Sequence, residues 1–315
     1  MKILITGGMG FIGSNYVRFH LEKHPNDEIV ILDNLTYAGN LENLSDIKDH
    51  FEFIQGDICD PVSIKKAVND TDQIIHFAAE SHVDRSIKDA NAFIGTNIVG
   101  TTLLLDAAKE HTLDRFVQIS TDEVYGSIQE GSCSETHTLA PSSPYSASKA
   151  SADLIALAYY TTHNLPVVIT RSTNNYGPYQ HVEKFIPLMI THALMDRPLP
   201  VYGNGLNVRD WTYVLDNCAG IDCVRLKGLD GEIYNIGSHN EWTNIQIVKE
   251  ILKIMRKPES LITYVQDRPG HDLRYSVHIE KSRKLGWEPA IGIYDGLVKT
   301  VEWYTNNQNW WSKNK

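Results

Sequence analysis

Short apolar runs alternate with longer stretches of helical periodicity through the first half of the chain. The segments 2–6, 28–32, 51–54, 73–77, 115–120 and 166–170 are rich in Ile, Val, Leu and Phe and read as strands. Between them, 12–24, 94–111 and 144–163 carry the three-to-four-residue spacing of helices. Strands apolar on both faces and separated by helices predict a parallel sheet covered on both sides. Right-handed crossovers then make it doubly wound. After about Asn175 the rhythm changes: Gly, Pro and aromatics crowd Gly177-Pro178 and Tyr202-Gly203-Asn204-Gly205, and elements shorten and mix. The expectation is an α/β protein with a sheet unit over 1–175 and a smaller, mixed α/β, substrate-binding unit over 176–315. Residues 232–237 are apolar enough to return to the first sheet.

Composition narrows the function classes. With 42% hydrophobic and 22% charged residues among 315, the chain can bury a core, which excludes disorder. Lys and Arg number 29 against 39 Asp and Glu, a net charge of −10. Such a mean field repels nucleic acid and anionic lipid, so any phosphate must be held by local groups. Four cysteines, Cys59, Cys133, Cys218 and Cys223, make no Cys-x-x-Cys pair, and no metal site is expected. The opening apolar run is too short for a signal peptide, and no stretch approaches the ~20 residues of a membrane span. These features suggest a soluble, cytoplasmic protein.

Gly7-x-x-Gly10-x-x-Gly13 follows the first strand and opens the first helix. Glycines there allow a tight turn and close approach of a pyrophosphate to free N–H groups at a helix start, a Rossmann-type arrangement. The same spacing also serves a plain strand-to-helix link. Asp33, closing the second strand about twenty residues beyond Gly13, sits where an acid accepts the adenosine ribose hydroxyls. A carboxylate there repels a 2′-phosphate, and no Lys or Arg lies between Lys23 and Lys48, so NAD is expected over NADP. Asp57-Ile58 and Phe77-Ala78-Ala79 follow the third and fourth strands, where adenine and the cofactor backbone would pass.

Ser143-Pro144-Tyr145-Ser-Ala-Ser-Lys149 reads as a capped helix start that puts Tyr145 and Lys149 on one face, four residues apart. An ammonium beside a phenol favours phenolate and makes Tyr145 a candidate general base. Thr121-Asp122-Glu123 ends the fifth strand. Adjacent carboxylates with separate tasks suit an elimination, in which one acid protonates a leaving hydroxyl and one base takes a carbon-bound proton.

Thr6-Gly7-Gly8-Met9-Gly10-Phe11-Ile12-Gly13 with Tyr145-x-x-x-Lys149 resembles the extended short-chain dehydrogenase/reductases. Over essentially the whole chain the resemblance is to the dTDP-glucose 4,6-dehydratase family. It is carried by Ala79-Glu80-Ser81-His82-Val83-Asp84-Arg85-Ser86, Ser120-Thr121-Asp122-Glu123-Val124-Tyr125-Gly126, Asn174-Asn175-Tyr176-Gly177-Pro178-Tyr179, Val208-Arg209-Asp210-Trp211 and Asp267-Arg268-Pro269-Gly270-His271-Asp272. The resemblance implies oxidation at C4 of a nucleotide sugar, elimination of water across C5–C6 and return of the electrons to C6. Tyr145 and Lys149 would serve the oxidation, Thr121 the 4-oxygen, Asp122 the leaving hydroxyl and Glu123 the C5 proton.

Cofactor contacts implied by the family match Gly7, Gly10, Phe11, Ile12, Gly13, Asp33, Asn34, Leu35 and Thr36. They continue at Asp57, Ile58, Phe77, Ala78, Ala79, Ser81, Thr96, Tyr145, Lys149 and Asn175. Substrate contacts match Ser81, Thr121, Asn174, Lys184, Phe185, Pro200, Val201, Tyr202, Arg209, Asn244, Arg268, His271 and Asp272. Arg209 and Arg268 suit a diphosphate. Gln180-His181-Val182-Glu183 and His278 depart from the family pattern, near the expected nucleotide end. Helices 94–111 and 144–163 match those that pair in the family's homodimer, although core packing also explains them. A nucleotide-sugar epimerase or decarboxylase on the same scaffold, a UDP-glucose 4,6-dehydratase, and a non-catalytic NAD-binding regulator are the alternative readings.

Overall fold

Seven strands, six of them consecutive from the start of the chain, form one all-parallel sheet: β1 (Lys2–Thr6), β2 (Glu28–Asp33), β3 (Glu52–Gln55), β4 (Gln73–His76), β5 (Arg115–Thr121) and β6 (Val167–Ser172) are joined by a late strand, Ile233–Ile236. The computed structural model describes residues 1–267 and 270–313. Successive side chains leave the sheet on opposite faces. Ile3, Ile5, Ile31, Ile75, Val117 and Val168 build one core layer; Leu4, Val30, Leu32, Ile74, Phe116, Val167 and Ile169 build the other. Fully burying each such side chain contributes about 1.5–3 kcal/mol. This is why both faces read as apolar in sequence.

The remaining strands are β7 (Asn174–Tyr176), β8 (Leu199–Tyr202), β9 (Val208–Tyr213), β10 (Ile233–Ile236), β11 (Glu241–Thr243) and β12 (Ile262–Val265). Main-sheet order is β10-β6-β5-β4-β1-β2-β3, so the chain reverses direction of travel between β1 and β4. Ligands of doubly wound sheets sit at the carboxyl ends of the strands on either side of that reversal. The apolar run at 232–237 does return to the sheet, pairing Ile233 with Ile169 and Ile236 with Ser172.

A third buried cluster, with Tyr176, Ile186, Met189, Val201, Trp211, Ile247, Ile251, Leu297 and Tyr304, lies under β8, β9 and helices from the second half. The two halves interleave along the chain. Helix 214–227 gives Val214, Cys218, Ile221 and Val224 to the first core, and Trp287 joins them. The helix expected over 94–111 is broken into Asn91–Phe93, a wider π-helical stretch Ile94–Gly100, and Thr101–Ala108. Helix Pro144–His163 begins as expected: Ser143 and Ser146 cap each other reciprocally, and Pro144 occupies the first turn.

Candidate active site

The cleft opens at the carboxyl ends of β1 and β4. Gly7 takes φ +70°, and a Cβ there would lie 2.5 Å from the Ala78 nitrogen; one on Gly13 would lie 2.2 Å from the Gly7 carbonyl oxygen. Only glycine fits either place. Gly10 precedes helix Phe11–Lys23 with no side-chain cap, so the N–H groups of the first turn face the cleft without a side-chain acceptor. Asp33 is nearly buried. Its Oδ2 accepts from Met9 N at 2.9 Å and its Oδ1 from Leu35 N at 2.8 Å. Burial pushes its carboxyl up, against those two N–H groups. Besides presenting an acid, Asp33 therefore fastens the glycine turn to the end of β2, a role its position in sequence does not disclose. Asn34 donates to Asp57 Oδ2 at 2.8 Å and so ties the ends of β2 and β3 together at the rim of the cleft.

Gly7, Gly10, Phe11, Ile12, Gly13, Asp33, Asn34, Thr36, Asp57, Ile58, Phe77, Ala78, Ala79, Ser81, Thr96, Tyr145 and Lys149 line this one cleft, as does Lys184. Leu35 and Asn175 do not. Leu35 contributes its main chain to Asp33, and Asn175 turns its amide nitrogen to the Thr173 carbonyl. Gln180 and His181, which depart from the family pattern, also line it. A cleft walled by a glycine turn, a helix start and an acid without nearby cations fits a dinucleotide that lacks a 2′-phosphate.

Ile119, Ser120, Tyr145 and Lys149 line the inner end of the cleft, and Thr121, Asp122 and Glu123 lie next to Tyr145 without lining it. Thr121 ends β5, and its hydroxyl accepts the Glu123 N–H at 3.3 Å, starting the short turn Asp122–Tyr125. Asp122 is 2% exposed, and its Oδ2 has no hydrogen-bond partner among the described residues. Burial first, then Glu123 and Asp210, push its carboxyl well above the usual range. Tyr145 borders the cleft beside Thr121, Asp122 and Glu123. The expected lowering of its phenol is reversed in the ligand-free site, where burial and Glu123 push it well up and the Thr121 hydroxyl only partly offsets them. Lys149 Nζ donates to the Ile119 carbonyl at 2.6 Å, and burial brings its ammonium down to about 8.

A residue the sequence did not single out positions this region. Asn97, in the π-helical stretch, accepts from Glu80 N at 2.8 Å and donates to Glu80 O and Ser148 Oγ. It ties the loop after β4 to the helix of Tyr145. No spacing rule flags a lone asparagine in an apolar helix; only its burial does.

Of the expected substrate residues, Ser81 and Lys184 line the cleft; Thr121, Asn174, Phe185, Pro200, Val201, Tyr202, Arg209, Asn244, His271 and Asp272 do not. Lys184 Nζ donates to the Ser81 carbonyl at 2.8 Å. Arg209 lies over the Tyr275 ring at 4.3 Å and donates to the Asp272 carbonyl at 2.9 Å. Asp272 also accepts from the hydroxyls of Ser142 and Tyr275. His271 Nδ1 is 2.6 Å from Asp267, and its ring meets Tyr202 edge-on. Phe185 stacks on Trp211, and Val201 is fully buried in the second core, so Val201 has only main chain to offer a ligand. Pro200 lies beside it in β8; Asn244 starts a helix, its N–H donating to Asn207 O; and Asn174 keeps a buried Oδ1 without a partner. Arg268 lies outside the described residues. His278 sits beside β10, 3.4 Å from Glu280, and does not line the cleft.

Away from the cleft, His20, His24 and Asp222 come close enough to share an ion. Arg225 already bonds both His24 and Asp222 there, so the cluster is held together by a guanidinium.

Comparison with known proteins agrees with this geometry. A family model described as GDP-mannose 4,6-dehydratase matches residues 4–300. A dTDP-glucose 4,6-dehydratase from Streptomyces niveus is 50% identical over 318 residues, covering 99% of this chain and 95% of that one. The low-salt glycan biosynthesis protein Agl12 of Haloferax volcanii is 51% identical over 306 residues, 96% of this chain and 98% of its own. The solved structure of DesIV, a dTDP-glucose 4,6-dehydratase from Streptomyces venezuelae with NAD and dTDP bound, superposes with a TM-score of 0.98 at 48% identity over 100% of both chains.

Proposed function

The chain belongs to the GDP-mannose 4,6-dehydratase family, and from that premise we infer that it is a dTDP-glucose 4,6-dehydratase, a hydro-lyase that forms the 4-keto-6-deoxy sugar nucleotide and water. NAD is its cofactor and supplies, when bound in the glycine-turn cleft, a reversible two-electron oxidation that begins at C4 and is returned at C6. The observation that carries the reading is the pair Asp122 and Glu123 beside Tyr145 at the inner end of that cleft.

Tyr145, supported by Lys149, removes the proton of the sugar 4-hydroxyl, and Thr121 hydrogen-bonds the 4-oxygen. The resulting ketone acidifies C5, whose proton Glu123 takes. Asp122 is suited to be the acid at C6, because its buried surroundings favour the protonated form. Its partnerless Oδ2 can serve the leaving oxygen. Arg209, Lys184 and Arg268 are proposed to hold the diphosphate, with Ser81, Asn174, Phe185, Pro200, Val201, Tyr202, Asn244, His271 and Asp272 around the nucleoside and sugar. Gly7, Gly10 and Gly13 would meet the pyrophosphate and Asp33 the ribose; Asn175 and Leu35 would act from behind the cleft wall. The sheet unit over 1–175 and the unit over 176–315 would then be the cofactor and substrate lobes, with 214–227 and 233–236 crossing back.

The deciding assay offers dTDP-glucose to purified protein and follows the alkali-induced absorbance of the 4-keto product. No product from it, with product from UDP-glucose, would move the assignment to the uridine nucleotide. Epimer without water loss would replace the dehydratase reading. A homodimer is also proposed: Ile94, Val99, Leu154 and Tyr160 are exposed on the helical stretches 94–100 and 144–163. Sedimentation as a monomer at micromolar concentration would refute it. No helix among the described residues is long and apolar enough to cross a membrane. The four cysteines are free, which suits the proposed cytoplasmic location; recovery of the protein outside the cytoplasm on cell fractionation would refute that.

A further inference from the structure

Tyr145, Lys149 and Asp153 follow one another at four-residue intervals on helix Pro144–His163, so all three share a face. The third plays no part in the reaction as described. Asp153 is 0% exposed, and its Oδ2 accepts from Arg171 Nε at 2.9 Å; Arg171 is itself 2% exposed. Arg171 stands on β6 opposite Ser120 of β5, one residue before Thr121. Its guanidinium also lies over the Tyr125 ring at 4.9 Å, and Tyr125 closes the turn that begins with Asp122. One buried ion pair thus bridges the helix of Tyr145 and Lys149 to the turn of Asp122 and Glu123.

Stability alone gives little reason for the pair. Taking two charges from water costs about as much as their attraction returns, and apolar replacements are often neutral. Its position is informative, because Lys149 is buried and an ammonium there loses its proton easily. The groups facing Lys149 are few. His76 of β4 is neutral, held down to about 3 by burial and by Lys149 itself. The Ile119 carbonyl of β5 accepts its proton. Tyr145 lies one turn away with Asp122 and Glu123 beyond it. Asp153 is the group that opposes the loss of charge at Lys149; burial pushes the Asp153 carboxyl up, and Arg171 and Lys149 offset part of that rise.

We infer that Asp153 and Arg171 are positioning residues for the proposed reaction: the ion pair keeps the Lys149 ammonium charged and in place, and so fits Tyr145 to take the sugar proton. The inference rests on Tyr145 and Lys149 being the base and its supporting cation. Neither Asp153 nor Arg171 touches the substrate.

The test is the pH profile of single-turnover sugar oxidation in NAD-loaded enzyme. It is run for wild type, Asp153→Asn, the doubly neutral Asp153→Asn/Arg171→Met and Lys149→Met. The double variant removes both charges and leaves no orphaned guanidinium, so it is expected to cost less stability than the single variant. In both Asp153 variants the alkaline limb should move down by ~1 pH unit, a ~10-fold lower rate on that limb. NAD and substrate affinities should stay within about twofold of wild type. A slower rate on an unmoved limb would mean a purely structural role and would overturn the inference, provided Lys149→Met abolishes the limb. If the limb survives in Lys149→Met, the base assignment itself is wrong and the inference falls with it.

Discussion

At the dinucleotide end of the cleft the ligand-facing surface is mostly main chain: a glycine turn with no room for a Cβ, the start of a helix, and an acid whose oxygens already hold Met9 and Leu35 N–H groups. At the catalytic end it is side chains: Tyr145 and Lys149 line the cleft, Lys149 is tied back to Ile119, and Thr121, Asp122 and Glu123 stand behind Tyr145. The first end recognises by shape, which is set once the chain has folded. The second works by electrostatics, in which each group's protonation depends on its neighbours. Asp122 shows the dependence: part of what pushes its carboxyl up is Asp210, from β9 and far along the chain. Substitutions at the first end should change binding, and substitutions at the second should change rates with binding intact.

The largest effect is expected for Tyr145→Phe. Removing the base stops the cycle at its first step, so turnover should fall by ~10²–10⁴ or more, and mixing with substrate should produce no absorbance of reduced cofactor. Substrate affinity should be little changed. Normal single-turnover reduction would show that another group removes the proton and that the catalytic end is misassigned.

Next come the two carboxylates. Asp122→Asn cannot deliver a proton to the C6 oxygen, and Glu123→Gln cannot take the C5 proton, so each should slow water loss by ~10²–10⁴ while oxidation at C4 persists. Both should accumulate the 4-keto hexose that keeps its C6 hydroxyl. In heavy water, Glu123→Gln alone should fail to bring deuterium into C5. Rapid-quench mass spectrometry separates the two, and near-normal dehydration in both would reduce the turn to a structural loop.

The sequence disclosed the two ends unequally, for the same reason that they differ. The glycine spacing, Asp33 and the capped start of the Tyr145 helix are local patterns, and β1, β2, β5 and the late return of β10 follow from apolar runs. Sequence could not show that Lys149 reaches the Ile119 carbonyl, or that burial and Glu123 leave the Tyr145 phenol high, because both depend on the depth of β5 beneath the helix. Nor could it find Asn97, whose value comes from loop and helix segments brought together in space, or the Arg171–Asp153 pair, joined across a strand and a helix. The break of helix 94–111 into a π-helical middle was equally hidden, since its residues carry ordinary helical spacing.

A smaller effect sharpens the dinucleotide end. NAD should bind far more tightly than NADP, and affinities within about threefold of each other would sink the assignment of Asp33. The structure adds a distinction. Asp33→Ala leaves the Met9 and Leu35 N–H groups without acceptors and should weaken both cofactors. Asp33→Asn keeps one acceptor while removing the charge, and should narrow the gap by ~10-fold with less loss of NAD. Equal behaviour of the two variants would mean that the carboxylate's main task is to hold the turn.

The smallest effect concerns stability in acid and compares what lies beneath the catalytic end with the opposite face of the first helix. His76 is 1% exposed, its Nδ1 2.7 Å from Thr6 Oγ1 and its Nε2 3.0 Å from Thr101 Oγ1. Burial and Lys149 lower it to about 3. His20, packed against His24 on the outer helix, is lowered to about 4 by burial and by Arg225. A histidine depressed in the fold binds its proton more readily when unfolded. Its contribution is therefore complete above the unfolded value of about 6.5 and is lost as pH falls toward the folded value. Each should add a slope on the order of 1.4 kcal/mol per pH unit to unfolding free energy below pH ~6. For His20 the slope should level off near its folded value, and for His76 it should persist lower. Urea midpoints measured from neutral pH downward should show this steepening, and His76→Gln, which can still bond both threonine hydroxyls, should remove about one proton's worth of it. An unchanged slope in that variant would mean that His76 takes up its proton without unfolding. The catalytic end would then admit water and charge more readily than its packing indicates, and the electrostatic contrast between the two ends would be weaker than drawn.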